Sequence, residues 1–475
     1  MKLSALLQDV ETNSFYTANQ EIINITDKIE NVMRSGMFVC IKGNNSDGHG
    51  FVHKALDKGA AAIICEKELG CDNCIVVDDT RKAYAKICAN FYGNRHRDMT
   101  MIGITGTNGK TTTSFVLKKI LEDSGYKVGL IGTVSVMIGD EIYPASLTTP
   151  DPAELHRYIM MMYIAHCDVC IMEVSSQALS QQRVLGIDFR IGIFTNLSPE
   201  HLDYHKSLEN YADAKAILMQ NSEVCLINAD DDYSDFMSGK AKKHIVTYGV
   251  DNGNIRAEKI RLSSEGVSYT LKIKDNDYNV IFDSMGIFSV YNSMAALSAA
   301  KLMGVNMDRA MRSVSRFDGI AGRMESIKNN RGVNVVVDYA HTPASLESAL
   351  KALKQACTGR LITVFGCGGD RDSSKRPVMG KTACKYSDEV YVTSDNPRNE
   401  NPEKIISEIV SDITGNKPIC IPERTMAIKA ALENAKSGDT VLIAGKGHEK
   451  YQIIGNEKIY YNEREFVKTI LERGC

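Results

Sequence analysis

The chain has 475 residues, with 56 lysines and arginines against 59 aspartates and glutamates and a formal net charge of −3. That balance supplies no bulk attraction to nucleic acid or to an anionic membrane surface, and the length exceeds one ordinary core, so about three domains are expected. No apolar run approaches the ~18 residues of a membrane span, and Met1-Lys2-Leu3-Ser4-Ala5-Leu6-Leu7 is cut off by Gln8-Asp9 before an export core develops, which predicts a cytoplasmic protein.

Short apolar runs at residues 37–41 and 60–65, the second preceded by a helical pattern over 50–58, predict a small α/β domain over residues 1–98. Its polar end, Arg95-His96-Arg97-Asp98, reads as a linker or a solvated turn. The 13 cysteines, an odd number scattered through apolar stretches, fit a reduced protein better than a disulfide framework. Cys71/Cys74 and Cys167/Cys170 have Cys-x-x-Cys spacing, but the pairs lie too far apart for a zinc ribbon, and Cys170 falls in a predicted strand.

From residue 99 strands and helices alternate, as in a parallel sheet covered by helices. The strand at 99–104 runs into Gly106-Thr107-Asn108-Gly109-Lys110-Thr111-Thr112, which opens a helix over 111–124. Backbone amides of such a loop can cradle phosphate, Lys110 can reach the β/γ-phosphates and the Thr111 hydroxyl can ligate Mg²⁺. The spacing departs from the usual phosphate loop, with Ile104 where its first glycine would stand. A helix over 153–166 precedes a buried strand at 169–172, and Glu173 closes that strand, either to hold Mg²⁺ or to cap the following Ser175-Ser176 turn. His201, Asp203 and His205 follow the strand at 191–195, placed to bind metal or to cap a helix. Lys215, on a helix over 211–220, carries no signal and reads as an exposed lysine. Tighter alternation over 244–288 predicts appended antiparallel strands, and an alanine-rich helix covers 291–303. Residues 99–325 thus form a central phosphate-loop domain.

Residues 326–475 form a doubly wound, Rossmann-like third domain. Strands at 333–337, 361–365, 389–393 and 440–444 each run into a polar loop: Asp338-Tyr339-Ala340-His341, Gly366-Cys367-Gly368-Gly369-Asp370-Arg371-Asp372, Asp395-Asn396-Pro397-Arg398 and Gly445-Lys446-Gly447-His448-Glu449. Ligands of open α/β sheets bind outside the carboxyl ends of strands, so four decorated ends predict a second substrate site.

The phosphate loop, Met172-Glu173-Val174-Ser175-Ser176, His201-Leu202-Asp203-Tyr204-His205, Tyr291-Asn292, Gly322-Arg323-Met324-Glu325, Asp338-Tyr339-Ala340-His341-Thr342-Pro343 and Gly445-Lys446-Gly447-His448-Glu449 together resemble the Mur ligases of bacterial cell-wall synthesis, in order and nearly end to end. Asp395-Asn396-Pro397-Arg398 looks like the signature of members that add meso-diaminopimelate rather than lysine. The resemblance implies an ATP- and Mg²⁺-dependent amide ligase acting on UDP-N-acetylmuramoyl-L-alanyl-D-glutamate through an acyl phosphate, monomeric, with an N-terminal domain for the UDP-linked substrate, a central domain for ATP and a C-terminal domain for the amino acid.

By the same resemblance Gly106, Thr107, Asn108, Gly109, Lys110, Thr111 and Thr112 cradle ATP, Asn292 contacts adenine, and Arg323 and Asp338 reach the nucleotide from the domain junction. Thr111, Glu173 and His201 hold Mg²⁺, and Lys215 is carbamylated to supply oxygen ligands for a second Mg²⁺, which reverses its reading as a surface lysine. Thr148, Thr149, Ser175, Gln181 and Arg183 match contacts to the UDP-linked substrate, and Arg376, Asp395, Asn396, Pro397, Arg398, Gly445 and Glu449 match a diaminopimelate pocket. Some positions depart from the family. Thr26-Asp27-Lys28-Ile29-Glu30 lacks its Asp-Ser-Arg, and Leu147 stands where some relatives have Asn, although Gly43-Asn44-Asn45-Ser46-Asp47-Gly48 looks like the loop lining the uridine end. The folylpolyglutamate synthetase group shares Gly-Thr-Asn-Gly-Lys but usually continues Gly-Ser, a lysine-adding relative is disfavoured by Arg398, and a switch or motor ATPase has no need of an amino-acid pocket.

Overall fold

Among the described residues, three large sheets and a separate two-stranded hairpin carry the chain. The computed structural model describes residues 1–13, 19–43, 46–415 and 417–473, so Asn44 and Asn45 of the expected uridine loop lie outside the described residues.

The first sheet is parallel, in the order β1 (Ile25–Thr26), β2 (Met37–Val39), β3 (Ala62–Cys65), β4 (Cys74–Val76). Successive side chains of a strand point to opposite faces. Met37, Val39 and Ile64 therefore pack beneath helix Thr80–Phe91, whereas Phe38 and Ile63 pack on the other face with Val52 and Ala55 of helix Val52–Asp57.

The central sheet has 11 strands, with a parallel middle flanked by antiparallel pieces. Its strands are β5 (Thr100–Thr105), β6 (Val128–Ile131), β7 (Ser135–Ile138), β8 (Glu141–Pro144), β9 (Val169–Glu173), β10 (Phe189–Phe194), β11 (Ser222–Asn228), β12 (His244–Gly249), β13 (Ile255–Ser263), β14 (Gly266–Ile273) and β15 (Asn276–Phe282). The spatial order is β15-β14-β13-β12-β11-β10-β5-β9-β6-β7-β8. Helices Lys110–Asp123 and Ile287–Leu302 bury one face through Val116, Leu117, Val290 and Met294, and helices Pro152–Ile164 and Leu208–Gln220 bury the other through Leu155, Ile159, Tyr211 and Leu218. In the β5–β9 register Ile104 sits opposite Glu173, so the carboxylate lies on the strand beside the phosphate loop.

The third sheet runs β16 (Glu325–Ile327), β17 (Asn334–Asp338), β21 (Thr440–Ala444), β18 (Leu361–Phe365), β19 (Glu389–Val392), β20 (Ile419–Cys420), parallel except for β16. A hairpin, β22 (Tyr451–Ile454) and β23 (Glu457–Tyr460), and a final helix, Glu463–Arg473, complete the unit.

Residues 95–98, expected as a linker or a solvated turn, leave Arg97 and Asp98 exposed but not His96. They form a 3-10 helix whose His96 is buried against His156, with ring centroids 5.8 Å apart, because helices Thr80–Phe91 and Pro152–Ile164 pack there and exclude water. Cys71 and Cys74 form a disulfide at the turn into β4, against the expectation of unlinked thiols, whereas Cys167 and Cys170 are free and buried. Among the described residues no helix is long and apolar enough to cross a membrane.

Candidate active site

β5 delivers the chain to the phosphate loop, and close packing explains its glycines. A Cβ on Gly106 (φ 147°) would lie 1.9 Å from Thr195 Oγ1, and one on Gly109 (φ 86°) 2.3 Å from Asn292 Oδ1. Asn108 N donates to Asn196 Oδ1 at 2.9 Å, Thr195 Oγ1 donates to Asn108 O at 2.7 Å and Thr107 Oγ1 to Ser198 O at 3.2 Å, so β10 and its outgoing loop brace the cradle. Lys110 Nζ folds back onto Gly106 O at 2.7 Å and Thr107 O at 2.9 Å. Burial holds its ammonium pKa below the ordinary lysine value against the pull of Glu200 and Glu173. Thr111 and Thr112 occupy the first turn of the following helix, where the backbone N–H groups point outward.

Glu173 is fully buried, and its carboxylate accepts from Thr111 Oγ1 at 2.9 Å, Thr133 Oγ1 at 2.8 Å and Thr133 N at 3.2 Å. It does not cap the helix that follows. Ser175 does, accepting from Ala178 N at 3.2 Å. A buried carboxylate and a hydroxyl beside a phosphate cradle are hard oxygen donors that fit Mg²⁺, which takes one or two carboxylates together with substrate phosphates. Among the described residues no group of three His, Cys, Asp or Glu side chains could by itself hold a metal ion.

Lys215 is buried at 1% exposure, correcting its reading as an exposed lysine. Its helix turns residues 211, 215 and 218 inward together, and Nζ rests 4.3 Å from the centre of the Tyr211 ring. Burial, with Lys110 adding to it, pushes this amine well below the ordinary lysine pKa, and among the described residues no carboxylate lies within ion-pair distance of it. His201 precedes the short helix Leu202–His205 in a left-handed conformation (φ 55°) and faces the Tyr211 ring at 6.3 Å. His205 instead turns into the core, where its Nε2 lies 2.9 Å from Ser176 Oγ, and Asp203 is exposed.

A polar strip leads away from Glu173. Thr148 Oγ1 contacts Thr133 Oγ1 at 3.1 Å, and Thr149 Oγ1 donates to Glu173 O at 2.8 Å while accepting from Ser175 N at 3.0 Å. Arg183 reaches Thr149 O at 2.8 Å and Gln181 Oε1 at 2.7 Å, and pairs with Asp151 at 3.3 Å. The five residues matched to the UDP-linked substrate are therefore contiguous.

The junction with the third sheet closes over the phosphate loop. Arg323 Nη2 lies 3.4 Å from Thr111 Oγ1 and its guanidinium stacks 4.6 Å from the centre of Tyr339. Asp338 accepts from Met324 N and Ala340 N, each at 2.8 Å, and burial raises its pKa despite the opposing charge of Arg323. Gly322 (φ 68°) packs against Gly447, where an added Cβ would lie 2.1 Å from its carbonyl carbon.

The loops expected to receive the amino acid meet at the carboxyl ends of β18, β19 and β21. Asn396 Nδ2 donates to Glu449 Oε2 at 3.0 Å, and Lys446, fully buried, donates to Asn396 Oδ1 and Glu449 Oε2, both at 3.0 Å. Asp395 accepts from Asn396 N at 2.6 Å and abuts Gly445 (φ 114°). Arg398 donates from Nη1 to Gly369 O at 2.7 Å, and its N–H donates to Ile453 O at 3.1 Å, which pins the loop to the β22–β23 hairpin. Pro397 supplies the carbonyl that Glu400 N donates to at 3.1 Å. Arg376 is only 1% exposed, its fork bonded to Glu400 at 2.8 and 2.9 Å and to Gly368 O at 3.2 Å, so it supports the loops from beneath. Asn196, Thr133, Glu200 and Arg424 are structural participants that no motif had singled out, and Lys446 lies in a quoted motif without having been named for a role. Their signal is long-range pairing, which one sequence does not display.

A phosphate loop joined through a packed hinge to a second α/β sheet with its own ligand loops defines a two-site nucleotide-dependent ligase. The Mur ligase middle domain matches residues 104–300 and the Mur ligase glutamate ligase domain matches residues 322–447; the chain belongs to the Mur ligase family. It is 43% identical to UDP-N-acetylmuramoyl-L-alanyl-D-glutamate–2,6-diaminopimelate ligase 1 of Clostridium acetobutylicum over 99% of each chain, and 40% identical to the corresponding ligase of Clostridium botulinum over 99% of this chain and all of the other. A solved structure of a UDP-N-acetylmuramoyl-L-alanyl-D-glutamate–2,6-diaminopimelate ligase superimposes with a TM-score of 0.71 at 32% identity, covering 100% of this chain and 99% of that one.

Proposed function

We propose that this protein joins meso-diaminopimelate to the γ-carboxylate of the D-glutamate in UDP-N-acetylmuramoyl-L-alanyl-D-glutamate, at the expense of ATP, in the cytoplasm and as a monomer. Residues 1–98 hold the uridine end, 99–325 the ATP and the dipeptide, and 326–475 the incoming amino acid. The γ-phosphoryl group passes from ATP to the carboxylate, giving ADP and an acyl phosphate; the amine of the amino acid attacks the acyl carbon, phosphate departs with the C–O bond, and the amine loses a proton as the amide forms. A carboxylate is a poor electrophile until phosphorylated.

Lys110 neutralises charge on the transferring phosphoryl group, and the loop amides hold the neighbouring phosphates. Thr111, Glu173, His201 and a carbamylated Lys215 would hold Mg²⁺, which would supply positive charge against the phosphates. The buried Lys215 fits that role because burial favours its neutral amine, which can add CO2 and lose a proton to give a carbamate anion with oxygens able to face Mg²⁺. Thr148, Thr149, Ser175, Gln181 and Arg183 orient the UDP-linked dipeptide, and Asn292, Arg323 and Asp338 orient the nucleotide from the hinge. Arg398, with Asn396 and Glu449, receives the distal amino and carboxylate groups of diaminopimelate.

The observation that carries this reading is continuity. Glu173 touches both the phosphate-loop Thr111 and, through Thr133 and Thr149, the strip that runs to Arg183. Phosphate release should be measured with ATP and the UDP-dipeptide while single amino acids are supplied. Release with meso-diaminopimelate well above that with lysine is expected; release that ignores the UDP-dipeptide overturns the assignment.

A further inference from the structure

Arg424 opens the helix Arg424–Asn434 with its guanidinium inside the protein, 1% exposed, and Glu463, at the start of the last helix, is fully buried beside it. The two form an ion pair through Nε. The remaining arms of the fork reach two different strand ends: Nη1 donates to Ser394 O at 3.3 Å and Nη2 to Ala444 O at 2.9 Å. Ser394 immediately precedes Asp395, and Ala444 immediately precedes Gly445, so both loops of the amino-acid pocket leave the sheet from carbonyls held by one side chain.

These strands do not hydrogen-bond to each other. The order β21-β18-β19 puts β18 between them, so no ladder joins the two strands directly; side chains bridge their outgoing loops, Asn396, Lys446 and Glu449 within the loops and Arg424 at the strand ends. Beyond β18 the space is filled closely, since a Cβ on Gly366 would lie 2.2 Å from Thr393 O and one on Gly445 2.7 Å from Asp395 Oδ2. A planar guanidinium with donors on three sides can bridge two carbonyls and a carboxylate at fixed angles, which a lysine ammonium cannot reproduce.

We propose that Arg424, oriented by Glu463, is a positioning residue that fixes the gap between the Asp395–Arg398 and Gly445–Glu449 loops and thereby sets the affinity for the incoming amino acid. The proposal rests on the amino-acid site being the one described above. It requires no contact between Arg424 and substrate.

The test compares Arg424→Lys and Glu463→Gln with the wild type in steady-state phosphate release, varying each substrate in turn, alongside thermal unfolding. Arg424→Lys should raise KM for meso-diaminopimelate at least about tenfold while KM for ATP and for the UDP-dipeptide change less than about twofold. Glu463→Gln, which keeps an acceptor for Nε, should move the same constant in the same direction by less. A uniform loss across all three substrates, or a lowered melting temperature with an unchanged amino-acid KM, overturns the positioning role. So does failure of both variants to fold, which would make the pair a support of the sheet alone. A wild type that prefers another amino acid refutes the substrate reading, and the KM for that amino acid then decides the role of Arg424.

Discussion

Glu200 reaches across the hinge to His341: its Oε1 lies 3.5 Å from His341 Nε2 and 3.8 Å from Nε2 of its neighbour His201. One carboxylate therefore joins the loop after β10 to the loop after β17, within electrostatic reach of Lys110.

Burial pushes the Glu200 carboxyl up, but His341, His201 and Lys110 outweigh it and bring its pKa down to about 2. A folded-state value below the unfolded one means stabilisation that is fully present above the ordinary carboxylate range, about pH 4–5, and lost as pH falls from there through about 2. Glu200→Gln should therefore unfold at lower urea than the wild type at pH 6, with the gap closing as the pH approaches 3. Equal midpoints at pH 6 would show that the hinge contact adds nothing.

Lys110 is held by two loop carbonyls, positions from which Nζ can swing to phosphate oxygens. Lys110→Ala should lower turnover by about two to three orders of magnitude, as loss of a ~3–4 kcal/mol transition-state contact implies. Near-normal phosphate release by that variant would remove the assignment.

The strand, glycine loop and helix around Lys110 were legible because the pattern changes period where the glycines fall, and the placement of Glu173 followed from strand alternation once β5 and β9 proved adjacent. Lys215 was not legible from composition. Whether a lysine on an amphipathic helix faces solvent depends on helix phase, and Asp213-Ala214-Lys215 gives little sign of it; only the inward turn with Tyr211 and Leu218 does. At Arg95–Asp98, read as a linker or a solvated turn, the burial of His96 was not legible for a related reason, since two helices converge there. Arg424 and Glu463 lie 39 residues apart, so their pairing exists only in the fold.

Lys215→Ala should be nearly inactive, with part of the activity recovered by short-chain carboxylates that fill the vacated anion position. A second readout is independent of turnover: wild-type protein in ¹³C-bicarbonate should give a carbamate carbonyl signal that the variant lacks. Full activity in the alanine variant, or no such signal in the wild type, would leave Lys215 as a buried amine with a packing role.

The proposed function predicts that amino-acid choice turns on Arg398. Its backbone is held in a left-handed conformation (φ 51°) with its N–H on Ile453 O and its carbonyl accepting from Gly455 N at 2.7 Å, so the hairpin β22–β23 fixes where the side chain starts. Nη1 is engaged by Gly369 O, and among the described residues the other guanidinium donors have no protein acceptor. Diaminopimelate differs from lysine by a distal carboxylate, the group best matched to an arginine fork through charge-assisted hydrogen bonds. Lysine would leave those donors desolvated and unmatched, so discrimination comes from the penalty on the wrong substrate as well as the gain on the right one. A penalty of ~4 kcal/mol corresponds to a roughly thousandfold preference. Arg398→Ala should raise KM for meso-diaminopimelate steeply, leave KM for ATP nearly unchanged and erase most of the preference over lysine. Steady-state kinetics with both amino acids decides the matter, and a wild type that uses lysine as efficiently as meso-diaminopimelate would falsify this role for Arg398.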